Sequence, residues 1–349
     1  MSSPSNPSKK NRWRGAWLIG LAVSAALLVW VLYRIDPGKV WNDAQHANGW
    51  LLLLTIVVAT VTFPVRAIRW RLILRDASGR PFPWMPLWHA TTIGFMANNL
   101  LPARAGEVAR AWVASRQLPL RFTTALGSIA VERVFDALVM LGLMAVAIAA
   151  PSFPAHALVG GRSLSAIAAS TALLFGVVLV LALLIANRPG PWLLLIERIA
   201  RRILPVRAAD RVVRASDGIV EGLAVLKSPA RFAGVVLWSL VLWIKNAAAF
   251  AICFRAFGLD VPLEAALLLQ GIIGFGAAIP STPGYGGVFE AATLLTLQLY
   301  GVDSSLAIAY ALTYHVTTFI PITLLGLWSL SRLHLRLGEL STATRGSSA

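Results

Sequence analysis

The segment NNLLPARAGEVAR, residues 98–110, interrupts apolar sequence with Asn98, Asn99, Pro102, Arg104, Gly106, Glu107 and Arg110. Proline and glycine release backbone groups from helical pairing, and a helix start carries roughly half a positive charge. A guanidinium beside such a break presents a planar fork that matches phosphate oxygens. The chemistry offered here is capture of an anion, with Arg104 at the tip of the break. Glu107 and Arg110, three residues apart, are placed to pair along one helix face, and Asn98 and Asn99 to cap the break.

Two further stretches carry charge into apolar surroundings. VERVFD puts Glu132, Arg133 and Asp136 within about one helical turn, with Arg133 in reach of Asp136. Leaving that group unpaired in a bilayer costs several kcal/mol, so it reads as a clamp onto the first broken segment or as part of a substrate or proton pathway. IPSTPGYGGVFE, residues 279–290, holds Pro280, Pro283, Gly284, Gly286 and Gly287 ahead of Glu290. Those residues permit either a tight backbone approach or close helix packing. Lys245, deep in WSLVLWIKNAAAF, is expected to pair with Glu290 or share a water-filled cavity with it.

Enzyme chemistry has little support. Ser281 and His315 are a conceivable nucleophile and base, but Ser281 lies among prolines without a Gly-x-Ser-x-Gly turn. There is no His-Glu-x-x-His helix and no Gly-rich loop ending in Lys-Ser/Thr. One cysteine, Cys253, excludes a disulfide framework or thiolate metal site built by this chain alone. No metal, cofactor or catalytic residue is expected.

The elements that must position these residues follow from composition. The 349-residue chain is 57% hydrophobic and 13% charged, with mean hydropathy +0.71, where soluble domains carry about 25% charged residues. It reads as an all-α polytopic membrane protein. The formal charge of +16 follows from Lys and Arg accumulating in cytoplasmic loops, so nucleic acid is not expected as a partner.

Six stretches reach the roughly 20 apolar residues a span needs, near 16–33, 49–70, 122–150, 164–187, 230–256 and 304–330. Segments 84–118 and 263–300 are instead apolar arms around a Pro/Gly break, suited to re-entrant hairpins; eight full spans are the alternative. Basic clusters at 9–14, at Arg66, Arg69, Arg71, Arg75 and Arg80, at Arg116 and Arg121, along 188–229 and in the tail are assigned to the cytoplasm, placing both termini inside. The expected organisation is a cytoplasmic N-terminus 1–15, a membrane domain 16–330 in the inner (plasma) membrane, and a cytoplasmic tail 331–349. Within 188–229, Trp192, Leu195, Ile196, Ile199 and Ile203 recur at helical spacing opposite Arg198, Arg201 and Arg202, the pattern of an interfacial or solvated amphipathic helix.

A shift of about 180 residues aligns GFMANNLLPARAGE with GFGAAIPSTPGYGGVFE, and ERVFD with YHVTT. With the charge assignments, halves 49–150 and 230–330 form an inverted repeat, an arrangement whose broken helices meet at a midplane site.

NNLLPARAGEVAR, ERVFD and IPSTPGYGGVFE together resemble the membrane domain of the lysylphosphatidylglycerol synthase and flippase-like family, over roughly residues 45–330. The resemblance implies a lipid-translocating membrane domain. Bifunctional members carry a soluble aminoacyl-transferase domain after it; here the chain stops about twenty residues after the last span, so synthase activity is not expected. One departure is His315, where the repeat would place a partner to Arg133. The expected function is a flippase for a phosphate-bearing or otherwise polar-headed lipid, the headgroup docking on Arg104 and Arg133. A secondary transporter of a small anion is the alternative. Expected partners are membrane lipids, with a homodimer or a lipid-biosynthesis enzyme as the protein partners considered.

Overall fold

The computed structural model describes residues 36–76, 78–101, 105–153, 188–223, 227–276 and 283–340, with scattered positions at 27–29 and 158–187. The helices in chain order are α1 (Pro37–His46), α2 (Gly49–Thr60), α3 (Thr62–Ile73), α4 (Trp84–Leu100), α5 (Ala105–Gln117) and α6 (Phe122–Ala149). There follow α7 (Pro189–Ile203), α8 (Val206–Leu223), α9 (Pro229–Ala256), α10 (Leu263–Gly276), α11 (Val288–Leu299) and α12 (Ser304–Arg332). A two-residue antiparallel pair, Leu158–Val159 with Arg162–Ser163, accompanies them.

Gly49–Ile73, Pro229–Ala256 and Ser304–Arg332 are long and apolar enough to cross a membrane. Helix α6 matches them in length at 28 residues, about 42 Å at 1.5 Å per residue, but carries Glu132, Arg133 and Asp136 along its middle. These helices turn apolar side chains outward: Leu237, Val241 and Ile244 on α9, and Leu312, Val316, Ile320 and Leu324 on α12, are all exposed. Such a stripe faces hydrocarbon rather than a core.

Local sequence explains the boundaries. Asn48 accepts from the backbone N–H of Trp50 and Leu51 at the start of α2, and Asp303 accepts from those of Ser305 and Leu306 at the start of α12. Pro64 falls in the first turn of α3, where its missing N–H is tolerated, and the α2–α3 junction lies just ahead at Val61. Between α3 and α4, Asp76 accepts from the Ser78 hydroxyl and from the Arg80 and Ser78 N–H groups. Those donors hold its carboxyl down at about 2.

The helical arms on either side of each break pack into an apolar cluster of their own. The first cluster joins α3, α4, α5 and α6 through Trp70, Ile93, Met96, Val113 and Ile129. The second joins α9, α10, α11 and α12 through Phe250, Phe254, Leu269, Leu294 and Tyr310. The first hairpin closes so tightly that a Cβ on Gly94 would sit 2.8 Å from the Gly106 carbonyl oxygen, and one on Gly106 would meet the Gly94 carbonyl. In the second, Gly284 and Gly287 take φ of 72° and 83°, a region L side chains rarely enter.

The connection 188–229 differs from a single amphipathic helix. It breaks at Pro205 into α7 and α8, and α8 packs on α6, with Gly218 against the Thr123 carbonyl. Leu195, Ile199 and Ile203 of α7 remain exposed.

The C-terminal part of α12 packs on α4 within the first cluster, whereas its N-terminal part belongs to the second. A Cβ on Gly326 would overlap Met96 and lie 2.8 Å from the Thr92 carbonyl. Thr92 donates to the Ser329 hydroxyl at 2.7 Å beside it. Gly326→Ala should therefore cost about 1–3 kcal/mol, whereas Gly142→Ala, which meets no neighbour, should leave the thermal midpoint unchanged or raise it. Equal midpoints for both variants in detergent would contradict this packing.

Candidate functional site

Arg69 is fully buried on α3 and faces two carboxylates of α6. Its Nη2 lies 2.9 Å from Glu132 Oε1, and its Nη1 contacts Asp136 Oδ1 and, at 2.9 Å, Ser239 Oγ of α9. Glu132 and Asp136, four residues apart, fall on one face of α6 and meet the fork together. Arg110 of α5 donates to the other oxygen of Glu132 and stacks 3.8 Å over Trp70. Asp136 also accepts from Trp243 Nε1 at 2.8 Å, Arg133 Nη2 at 3.0 Å and Arg66 Nη1 at 3.5 Å. Arg66 lies in addition over the rings of Phe95 and Trp243. With Glu107 4.0 Å from Arg133, the described cluster sets four guanidiniums against three carboxylates. The Nε of Arg66 and the Nε and Nη2 of Arg110 are buried without a hydrogen-bond partner.

The second break has a smaller polar group. His315 of α12 lies with Nδ1 2.7 Å from Glu290 Oε1 and Nε2 2.8 Å from the Gly284 carbonyl oxygen. Glu290 Oε2 accepts from the Gly287 N–H at 2.7 Å, closing the first turn of α11.

A cavity of about 560 Å³ lies between the two groups. The first half lines it with Arg66, Asn98, Glu107, Arg110 and Arg133, and the second with Gln270, Gly284, Tyr285, Phe289 and His315. Arg69, Glu132 and Glu290 stand behind this lining and hold the side chains that form it.

Several expectations need correction. Glu107 and Arg110 do not pair: Arg110, on the buried face of α5, turns to Glu132 of α6, and Glu107 faces Arg133. Lys245 does not meet Glu290. It donates to the Val58 and Ala59 carbonyls at 2.9 and 3.3 Å, beside the α2–α3 junction, while Glu290 is held by His315 and Gly287. Arg66 and Arg69 do not stand with Arg80 in the turn that follows the second apolar stretch; they are buried on α3.

Other expectations match the geometry. Asn98 Oδ1 accepts from the Gly106 N–H at 2.9 Å, capping α5 across the break; Asn99, expected to cap with it, instead donates to Thr323 Oγ1 of α12 at 3.0 Å. Arg133 reaches Asp136, and the VERVFD group does clamp α6 to the first hairpin. Pro102, Arg104, Pro280 and Ser281 lie outside the described residues, and Pro283 opens the short 3-10 turn Pro283–Tyr285. Arg66 and Arg69 were legible only as an i, i+3 pair on an apolar helix, which complements the i, i+4 carboxylates of α6.

Residues 17–326 match the family described as Lysylphosphatidylglycerol synthase TM region, and the chain belongs to that family of membrane proteins. Among curated relatives, it is 28% identical over 327 residues to Glycosyltransferase AglD of Haloferax volcanii, an alignment covering 85% of this chain and 51% of that protein. The chain thus spans about half the length of that relative. Two UPF0104 membrane proteins of Methanothermobacter thermautotrophicus are 24% and 23% identical, over 87% and 90% of this chain and 90% and 94% of theirs.

Two outcomes follow. Arg69→Met leaves two buried carboxylates short of a cation and should destabilise the chain by about 3–5 kcal/mol, well beyond Arg133→Gln, whose side chain is 40% exposed; comparable losses would contradict Arg69 as the centre. Lys245→Ala and Glu290→Ala should add to within about 0.5 kcal/mol in a double-mutant cycle. A larger coupling energy would restore the pairing that the geometry rejects.

Proposed function

We propose that this chain is a lipid translocase that moves a phosphate-bearing or otherwise polar-headed lipid between leaflets. The observation that carries the reading is the cavity bounded by both breaks, lined on one side by guanidiniums in excess over carboxylates. An excess cation beside a cavity favours an anion there, and Arg presents oxygens with a matched fork. The volume suits a polar headgroup, since sites for small molecules run about 300–1,000 Å³. The outward apolar stripes leave acyl chains a hydrocarbon-facing surface.

Six spans with two re-entrant hairpins, one entering from each side, account for this arrangement as an inverted repeat across 49–150 and 230–330. Its support is the correspondence of Glu107 with Glu290 and of Arg133 with His315, each about 180 residues on, where both copies make a carboxylate–cation or carboxylate–imidazole contact. Rocking of one half against the other would expose the cavity to either side. On this reading Asn99, Gly106, Glu107, Arg110, Arg133, Gly284 and Gly287 shape the substrate path. Glu132, Asp136 and Glu290 hold it in place. The positive-inside rule puts both termini in the cytoplasm.

A second reading, glycosyl transfer, is favoured by the name of the Haloferax relative alone. It makes lipid-linked sugars a class to test alongside phosphatidylglycerol and its aminoacylated form. Transport of a small soluble anion uses the same cavity and differs in needing no lipid substrate.

In liposomes carrying headgroup-labelled lipids of those three classes, the wild-type chain should speed leaflet exchange of at least one over empty vesicles. Arg133→Gln should slow it by about 10- to 100-fold, the loss of one charged hydrogen bond. Exchange no faster than in empty vesicles for every lipid would contradict the translocase reading.

A further inference from the structure

His315 has an acceptor at each ring nitrogen, Glu290 Oε1 at Nδ1 and the Gly284 carbonyl oxygen at Nε2. A carbonyl oxygen only accepts, and so does an ionised carboxylate, whereas a neutral imidazole has one N–H and one lone pair. Both contacts are hydrogen bonds only when the pair holds one proton more than a neutral ring beside a carboxylate. That proton sits on the ring, as imidazolium, or on Glu290, whose O–H then donates to Nδ1 while Nε2–H donates to Gly284.

The placement gives this proton a mechanical consequence. Gly284 and Tyr285 both have positive φ, 72° and 62°, in the break itself. The second carboxyl oxygen of Glu290 holds the Gly287 N–H, so one protonated pair ties α12, the break and the start of α11 together. The corresponding contact of the first half uses Arg133 with Glu107, and a guanidinium does not give up its proton in a protein. The histidine makes the second half the titratable one.

We propose that His315 and Glu290 form a proton-binding site whose occupancy sets the second break, closed when the extra proton is bound and released when it leaves. On release one proton passes to water through the cavity. A single N–H then faces two acceptors, so either Glu290 or Gly284 loses its bond to the ring. What the proton drives rests on the translocase reading; the proton site itself does not.

Among the described residues, the charged and titratable groups around the ring are few. Tyr314 precedes it on α12 and Tyr285 lies in the break. Arg66, Glu107, Arg110, Arg133 and Asp136 share the cavity wall from the first half. Of the residues on α9, Lys245 is turned to the α2–α3 carbonyls and Cys253 is buried in the second apolar cluster. His89 of α4 meets Ser329, far along α12, and Lys39 of α1 meets Asp303 at its start.

The test uses the full chain with 15N-labelled histidine in lipid nanodiscs. Five histidines contribute ring signals, and those absent from His315→Gln are assigned to this residue; Glu290→Gln serves as a second variant if the first fails to fold. The expected result is a ring with both nitrogens protonated at acidic pH that loses one proton on titration, with a changed profile in Glu290→Gln. A ring with a single proton at every pH beside an ionised Glu290 overturns the site, whatever vesicles show. In phosphatidylglycerol vesicles with headgroup-labelled phosphatidylglycerol, an imposed gradient should bias the label by up to about tenfold per pH unit in wild type, the limit for one proton per lipid, and not in His315→Gln. Wild-type exchange indifferent to the gradient overturns the coupling. Absence of wild-type exchange for every lipid counts against the translocase reading instead, leaving the ring titration to decide the proton site.

Discussion

Burial of the Arg69 guanidinium between Glu132 and Asp136 is the constraint from which the rest of the architecture follows. Ions taken out of water are tolerated only when paired and hydrogen-bonded with good geometry, and here that geometry needs four helices at once. Helix α3 supplies Arg66 and Arg69, α5 supplies Arg110, α6 supplies both carboxylates and α9 adds Ser239 and Trp243. Removing α3, α5 or α6 strands a charge, and removing α9 takes away two hydrogen-bond partners of the group. The helix carrying the carboxylates is thereby held among protein neighbours, while α9 presents Leu237, Val241 and Ile244 outward.

That fixed group becomes a wall for something less fixed. Its cations exceed its anions, and the excess borders a cavity whose opposite side is a glycine-rich break held by a histidine and a glutamate. One half is thus built on permanent charges and close Gly94–Gly106 packing, the other on positive-φ glycines and a titratable ring. On the proposed translocase reading, the charge-clamped half would bind a polar headgroup and the glycine-rich half would release it.

Much of this was legible from residue types. Long apolar runs and their Pro/Gly interruptions mark the helices and the two breaks, and the break positions near Gly106 and Gly284 agree with the helix ends observed. The Glu132–Arg133–Asp136 group announces itself, because so many charges in an apolar helix need partners. The identity of those partners was not legible. Arg66 and Arg69 sit in a run of arginines whose later members, Arg75 and Arg80, lie beyond the helix, and charge counting along a chain assigns the whole run to one side of a membrane. Lys245 was misassigned for a related reason: its acceptors are backbone carbonyls at the α2–α3 junction, and no side-chain type signals a carbonyl. His315 was visible as a departure from the repeat, but its two acceptors required coordinates. The split at Pro205 was readable from the proline, whereas the docking of α8 on α6 through Gly218 was not.

The central claim is that the two breaks face one shared cavity within the membrane. In a Cys253→Ala background, with Glu107→Cys and Tyr285→Cys introduced together, a short bifunctional thiol reagent applied to native membranes tests it most directly. Bridging of this pair, and no bridging when Leu295→Cys on the exposed face of α11 replaces Tyr285→Cys, is the result this account predicts. Two individually reactive cysteines that never bridge would place the breaks apart and contradict it.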